Sequence, residues 1–179
     1  IYIHVIDRNL ISEYLLMKNR MLLLTAVIFI ALSSCEEKID IEKEKEAIKA
    51  VFEQEKDGFF AQNLEAMAET WIQKPSSVKI FMSAEGQTKF EGWDAISKHS
   101  REEVADTTLD RKLITVTFKD YQINIIDDES AWVMCNAIWE GTYQGAPIKM
   151  VQTRIQVLEK TDGKWKFALM ALYSQPQEK

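Results

Sequence analysis

The chain has 179 residues, of which 46% are hydrophobic and 28% charged, and its net charge is −6 at neutral pH. Residues 36–179 alone carry 19 basic and 26 acidic side chains, a net charge of −7. This excess of acid disfavours nucleic acid and anionic lipid head groups as partners. Residues 36–179 are enough for one ordinary domain with a single core. The two cysteines, Cys35 and Cys135, offer neither a disulfide framework nor a metal cluster, and Cys135 is expected to be a packed core thiol.

An apolar run at residues 21–32 follows Lys18 and Arg20 and leads into Leu32-Ser33-Ser34-Cys35. The run is shorter than the roughly 20 residues that a membrane-spanning helix needs, so it has the length of a signal-peptide core. Leu32-Ser33-Ser34-Cys35 resembles the lipobox of bacterial lipoproteins, whose cysteine is lipidated and becomes the first residue of the mature chain. The resemblance implies a bacterial cell-envelope protein that is anchored to a membrane through Cys35 and faces the periplasm or the surface.

The expected organisation of the chain follows from this leader. Met17 is the natural start, so residues 1–16 are interpreted as a non-native upstream extension. Residues 17–35 are interpreted as the lipoprotein signal peptide, 36–40 as a polar tether and 41–175 as the folded domain. The alternative is that the apolar run forms a buried amphipathic N-terminal helix.

The first part of the domain has helical periodicity. One helical stripe is formed by Ile41, Ile48, Val51, Phe52 and Phe59. Asn63 can cap a second helix, and Gly92-Trp93-Asp94 opens a third that runs to about Ala105. Between the second and third helices, extended segments are expected at 78–82 and around 88–90.

From Arg111 onward the hydrophobic period changes to two. Strands are expected at 112–126, 131–143, 147–159 and 164–174. Gln144-Gly145 and Asp162-Gly163 are tight hairpin turns, and a two-residue turn at each fixes which residues lie opposite one another. The first turn places Asn136 directly opposite Thr153.

This order of parts resembles the nuclear-transport-factor-2-like (NTF2-like) superfamily, and more narrowly its SnoaL-like and ketosteroid-isomerase-like members. The resemblance rests on Asn63-Leu64-Glu65-Ala66-Met67, on Gly92-Trp93-Asp94-Ala95-Ile96 and on a closing hairpin that contains Trp165, and it covers Ile39 to Tyr173. It implies an α+β fold, an NTF2-like cone in which three N-terminal helices pack on a curved antiparallel sheet. The concave side would hold a pocket, and the outer side would form a homodimer.

The hairpin registers divide the sheet residues into two faces. The more apolar face is expected to be concave and carries Trp132, Met134, Asn136, Ile138, Val151, Thr153, Ile155, Val157, Ala168, Met170 and Leu172. The other face mixes aromatic and polar side chains, which suits a homodimer interface, and carries Trp139, Met150, Gln152, Arg154, Gln156, Phe167, Leu169 and Tyr173. A slip of one residue would exchange the two sets.

Glu55 and His99 are the candidate catalytic residues. Glu55 lies on the apolar stripe between Phe52 and Phe59, so its carboxylate would be desolvated and could act as a general acid or base. The alternative is that it sits in water at the pocket mouth or pairs with a lysine. His99 has Glu103 one turn later as an orienting partner, and the alternative is an ordinary boundary histidine.

Seven further residues are candidate ligand-binding residues. Asn136 and Thr153 would form a hydrogen-bonding patch in the pocket, or satisfy each other without a ligand. The pocket walls are expected to include Phe59, Trp71, Trp93, Trp132 and Met170, although such residues more often belong to a core. No cofactor and no metal are expected, because the sequence has no phosphate loop, no HExxH and no nucleophile elbow.

Three functions are compatible with this sequence. The first is a lipid-anchored, non-catalytic domain that binds a small, mostly apolar ligand. The second is an acid/base enzyme, an isomerase, dehydratase or hydrolase that uses Glu55 and His99. Steroid isomerisation itself is not supported, because the positions of the catalytic groups in the isomerase branch correspond here to Glu55, Phe81 and Thr153. The third is a dimeric protein-interaction module, against which a pocket of about 300 Å³ or more would argue.

Overall fold

The computed structural model describes Met17, residues 39–143 and residues 145–175. The upstream extension, Cys35 and the signal peptide lie outside the described residues, apart from Met17. The described residues from Asp40 onward form one compact unit. Within the described part of the chain, no helix is both long enough and apolar enough to cross a membrane.

Three α-helices lie within residues 39–143, at the places where the sequence predicts them. They are α1 (Ile41–Phe60), α2 (Leu64–Glu69) and α3 (Trp93–Ala105). The Asp40 side chain caps α1 by accepting a hydrogen bond of 3.1 Å from the backbone N–H of Lys43. The Asn63 side chain caps α2 by accepting one of 3.1 Å from the backbone N–H of Ala66. This confirms the sequence-based cap of the second helix.

In the described part of the chain, six strands form one curved sheet that does not close on itself. They are β1 (Val78–Ser83), β2 (Gly86–Glu91), β3 (Ile114–Ile125), β4 (Ser130–Tyr143), β5 (Ala146–Thr161) and β6 (Lys164–Ser174). Their order is β2-β1-β6-β5-β4-β3, and β1 pairs with β6 in parallel while the other neighbours are antiparallel. The predicted strands are confirmed. The extended segments expected between the second and third helices are β1 and β2. The expectation of an antiparallel sheet needs one correction, because β1 and β6 are parallel.

The core lies between α1 and one face of the sheet, which we call the inner face. On β4 this face presents Ala131, Val133, Cys135 and Ala137, which are all at most 1% exposed. These short side chains leave room for Phe52 of α1, whose ring makes edge contacts with Phe118 and Phe167. The small residues of β4 therefore let the helix approach the sheet.

The predicted register between β4 and β5 is confirmed, but the predicted facing of these strands is wrong. Asn136 does lie opposite Thr153. However, the side chains of Gln152, Arg154 and Gln156 are buried on the inner face, whereas Trp132 is 39% exposed on the outer face. The more apolar set of side chains thus covers the outside of the sheet, because the small residues are the ones that fit beneath α1.

A β-bulge changes the facing of β6 relative to β5. The predicted register holds next to the turn, where Leu158 pairs with Phe167, and shifts by one residue between Val157 and Leu158. Because of this shift, Phe167 and Met170 are both buried on the inner face. The inward facing of Met170 is therefore confirmed, while the outward facing expected for Phe167 is wrong.

Candidate functional site

A cavity of about 220 Å³ lies between α1, α3 and the inner face of the sheet. Its apolar wall is mainly aromatic and consists of Phe59, Phe60, Phe81, Val116, Phe118, Trp139, Met150, Met170 and Leu172. Its polar wall consists of Glu55, Lys56, Lys79, Glu103, Gln152 and Arg154. The sequence predicted a mostly apolar pocket, and the observed cavity is distinctly more charged.

Glu55 and Arg154 face each other in the cavity wall. Glu55 is 8% exposed and Arg154 is 6% exposed, and Nη1 of Arg154 lies 3.7 Å from Oε2 of Glu55. The guanidinium is held in place by two further contacts. Its Nε donates a hydrogen bond of 2.9 Å to Oε1 of Gln152, and its carbon lies 5.1 Å from the centre of the Phe118 ring. The hydrogen bond to Gln152 and the contact with the Phe118 ring thus hold the Arg154 guanidinium in place.

A second ion pair, between a buried lysine and a half-buried glutamate, joins β1 to α3. Nζ of Lys79, which is 3% exposed, donates a hydrogen bond of 2.8 Å to Oε2 of Glu103. Nε2 of His99 lies 3.4 Å from Oε1 of Glu103, which is an electrostatic contact rather than a well-formed hydrogen bond. Burial by itself raises the pKa of the Glu103 carboxyl, but the interactions with His99 and Lys79 outweigh burial and lower the pKa to about 2. Glu103 is therefore ionised at neutral pH.

The C-terminal end of α3, which carries Glu103, is held by side chains from outside the helix. Nη2 of Arg111 donates a hydrogen bond of 2.6 Å to the carbonyl of Glu103. Nε2 of Gln62 donates one of 2.9 Å to the carbonyl of Val104. The guanidinium of Arg111 also lies 4.8 Å from the centre of the Phe59 ring. The two hydrogen bonds satisfy carbonyl groups in the last turn of α3. Together with the Phe59 contact, they fix the position of Glu103 relative to the cavity wall.

Three of the predicted site residues line the cavity, namely Glu55, Phe59 and Met170. Glu55 and His99 do not share a partner, since Glu55 pairs with Arg154 and His99 contacts Glu103. The prediction that Glu103 accompanies His99 is confirmed. The His99 ring itself stacks on Phe90, with the ring centres 4.1 Å apart, so it supports the wall behind Glu103.

Trp71 and Trp93 lie apart from this cavity. Trp71 is 2% exposed and packs against Phe167. Both tryptophans border a separate, small cavity of about 70 Å³ beside α2 and α3. The expectation that they line the main pocket is therefore wrong, because they pack the α2 side of the core.

Trp132, Asn136 and Thr153 are on the outer face, so their predicted place in the pocket is also wrong. Oγ1 of Thr153 donates a hydrogen bond of 3.1 Å to Oδ1 of Asn136. Nδ2 of Asn136 donates one of 3.0 Å to Oδ2 of Asp120. The two residues thus satisfy each other on the outer surface, which is the alternative that the sequence left open.

Five of the six polar residues of the cavity wall are not among the predicted site residues, namely Lys56, Lys79, Glu103, Gln152 and Arg154, although Glu103 was expected as a partner of His99. Gln152 and Arg154 were placed on the outer face because polar side chains are usually exposed. The signal that identifies the true inner face is the series of small residues on β4, since only that face admits a helix with phenylalanines. No local pattern marks Lys79, whose partner belongs to a distant helix.

Cys135 is a free, buried cysteine on the inner face, as expected. It lies directly across the ladder from Arg154. Burial raises the pKa of the Cys135 thiol to about 12, and the positive charge of Arg154 only partly offsets this. The thiol is therefore protonated and unreactive at neutral pH.

Comparison with known proteins places the chain among NTF2-like folds. No family model and no curated protein sequence matches the chain. Among solved structures, LinA is 11% identical with a TM-score of 0.62, and the match covers 75% of this chain and 88% of LinA. A ketosteroid isomerase-like protein from Erwinia carotovora atroseptica is 14% identical with a TM-score of 0.53, covering 72% of this chain and 93% of that protein.

An NTF-2 like protein of unknown function from Shewanella oneidensis is 16% identical with a TM-score of 0.53. That match covers 73% of this chain and 98% of the Shewanella protein. Likenesses at such low identity describe the fold alone. The described domain therefore has an NTF2-like α+β fold with a curved, unclosed and largely antiparallel sheet.

Proposed function

We propose that this protein is a lipid-anchored domain that binds a small ligand in the cavity beneath α1, without catalysing a reaction. The observation that carries the proposal is that two ion pairs, the buried Glu55 with Arg154 and the partly buried Lys79 with Glu103, line a cavity whose remaining wall is mainly aromatic. A few convergent polar groups in an otherwise apolar cavity are typical of small-molecule sites. The volume of about 220 Å³ restricts the ligand to a compact molecule.

The buried charges themselves favour a binding role over a purely structural one. Removing two charges from water costs several kcal/mol per ion, and a well-packed apolar pair of similar volume is often at least as stable. A domain that needed only a filled core would gain nothing from Glu55 and Arg154 at this place. A role in orienting a ligand would explain why these two charged side chains are present.

An acid/base enzyme is the second candidate function. The observation that favours it is a nearly buried carboxylate, Glu55, in a cavity that also contains the ionised Glu103 with His99 behind it. An isomerase, dehydratase or hydrolase would need one of these groups within hydrogen-bond reach of its substrate. The two functions are distinguished by chemical change of the bound molecule, since a binding domain returns its ligand intact.

A protein-interaction module is the third candidate. A cavity of about 300 Å³ or more would argue against an interaction module. The observed cavity of about 220 Å³ is smaller, so its volume is compatible with this function. The composition of the wall argues against it, because a cavity that serves only packing has no need of Lys79 or Arg154.

Filling the cavity is expected to abolish ligand binding. Met150 lines the cavity, so the larger indole ring of Met150→Trp should take up part of its volume and leave too little room for the ligand. Lys149→Trp is the matched control, because Lys149 is the preceding residue and its side chain is 75% exposed. Saturation-transfer NMR with a library of small aromatic molecules should detect binding to the wild type and to Lys149→Trp, and at least a tenfold weaker signal for Met150→Trp. Equal binding by all three proteins would contradict the proposed site.

Anchoring is expected to depend on Cys35. If this residue carries the lipid, Cys35→Ser should release the protein from the membrane fraction, because the apolar run before it is too short to span a bilayer. Metabolic labelling with a fatty acid measures the modification directly, and Cys135→Ser serves as the control. Label that persists in Cys35→Ser would rule out the lipoprotein assignment.

We further propose that the protein is a homodimer through the outer face of the sheet. The structure corrects the set of residues expected at this interface: the exposed apolar residues of the outer face are Trp132, Ile155 and Tyr173, at 39%, 45% and 38% exposure. One self-complementary patch is enough to close a two-fold dimer. Replacing both Trp132 and Ile155 by glutamate should give monomers in analytical ultracentrifugation, whereas glutamate at the exposed Thr88 should not. A wild-type monomer at micromolar concentration would refute the dimer.

A further inference from the structure

The ion pair between Glu55 and Arg154 is open rather than closed. Charge-assisted hydrogen bonds between nitrogen and oxygen are usually about 2.7 to 2.9 Å long, whereas Nη1 of Arg154 lies 3.7 Å from Oε2 of Glu55. The contacts with Gln152 and Phe118 explain why the guanidinium does not move closer. Both charged groups line the cavity, so each is available to a molecule inside it.

The charges around the cavity are balanced. Arg154 faces Glu55, and Lys79 faces Glu103. Lys56, which also lines the cavity, pairs with Glu53 and Asp57 of its own helix. An anion that approached Arg154 would therefore also meet the carboxylate of Glu55, and a cation that approached Glu55 would meet the guanidinium. Either encounter brings like charges together in a site with little water, where such repulsion is strong.

On the basis of the proposed function, we infer that the cavity selects neutral, flat molecules with one group that both donates and accepts hydrogen bonds. That group, a primary amide or a hydroxyl, lies on the cavity side of the pair, where it donates to Glu55 and accepts from Arg154 at the same time. The aromatic wall formed by Phe59, Phe118 and Trp139 contacts the flat body of the ligand. The cavity of about 220 Å³ equals the volume of roughly seven water molecules at about 30 Å³ each, and because bonded atoms lie closer together than waters, it suits a ligand of that many non-hydrogen atoms or a few more.

Four probes of nearly equal shape test this inference on the full chain in detergent. Benzamide is neutral and has both a donor and an acceptor, acetophenone has only the acceptor, benzoate is an anion and benzamidinium is a cation. Isothermal titration calorimetry at pH 7 should find benzamide the tightest. Acetophenone should bind about tenfold or more weakly, because it leaves the Glu55 carboxylate without its donor. Benzoate and benzamidinium should each be weaker than benzamide by a similar factor.

Glu55→Gln gives a second, independent measurement. The amide keeps the shape of the side chain but removes the negative charge, so Arg154 is no longer balanced. The affinity for benzoate should then rise about tenfold relative to the affinity for benzamide. Lys149→Gln is a surface control and should leave the order of affinities of the four probes unchanged. If Glu55→Gln does not fold, the order of affinities of the four probes for the wild type tests the inference by itself.

The outcomes separate this inference from the proposed function. Benzoate or benzamidinium binding to the wild type as tightly as benzamide overturns the inference and leaves a ligand-binding cavity in place. Failure of all four probes, while other small aromatic molecules still bind, also overturns it. If no small molecule binds to the wild type at all, the proposed function fails together with the inference.

Discussion

Replacing Arg154 by methionine is expected to destabilise the protein by about 3 to 5 kcal/mol, because Glu55 would remain as a buried charge without a partner. Chemical unfolding at pH 7, followed by tryptophan fluorescence, measures the change in the free energy of unfolding. Lys149→Met is the control, since the ion pair of Lys149 with Glu140 is exposed and such pairs contribute little.

The double variant Glu55→Leu with Arg154→Met makes this prediction specific. Replacing both partners by apolar residues removes both desolvated charges, so the stability should return to that of the wild type or exceed it. Ligand binding should nevertheless be lost. A double variant that stays as unstable as Arg154→Met would show that the pair is needed for folding, which contradicts our view that it is kept for binding.

Replacing Lys79 by methionine is expected to destabilise the protein by about 1.5 to 3 kcal/mol at pH 7, because it leaves the half-buried carboxylate of Glu103 without its hydrogen-bond donor. Lys89→Met is the matched control, since Lys89 forms an exposed ion pair with Glu91 of the same strand, β2. Urea unfolding at pH 7 measures both variants.

The same variant should also change how stability depends on pH. The folded-state pKa of Glu103 is lowered from 4.5 to about 2, so its ionised form stabilises the wild type fully above pH 4.5. This stabilisation is lost as the pH falls toward 2. Without Lys79 the folded-state pKa should rise, so the difference in stability between wild type and variant should narrow between pH 5 and pH 3. A difference that is constant over this range would contradict the role assigned to the Lys79–Glu103 pair.

The elements of the fold could be predicted from the sequence because their signals are local. Asn63 marks the start of α2 by its capping side chain. The turn at Gly145 sets the register of β4 on β5, including the pairing of Asn136 with Thr153. In each case the residues that determine the structure are neighbours along the chain or across one hairpin.

The facing of the strands could not be predicted in the same way. Alternation separates two sets of side chains, but it does not say which set faces the helices. The assumption that the more apolar set is buried failed because the inner face includes a charged cavity, with Arg154 at its centre. The bulge near Val157 then reversed β6 relative to β5, and a bulge leaves no reliable mark in a single sequence.

The candidate site depends on contacts between distant parts of the chain. Glu55 could be recognised as a carboxylate on an apolar stripe, but its partner Arg154 comes from β5. Lys79 of β1 meets Glu103 of α3 in the same way. Such pairs join elements that are distant along the chain. One partner can therefore be recognised in the sequence, but its pairing is seen only in the folded domain.

Native mass spectrometry of the protein purified from its own host is the most direct test of the ligand-binding function. We expect the wild type to retain a small neutral molecule that is released unchanged on denaturation, and Met150→Trp to carry none. Lys149→Trp should retain the same molecule. A wild type that carries no ligand, and binds none from a small-molecule extract of the host, would contradict the proposed function. A molecule released in chemically altered form would instead establish the acid/base enzyme.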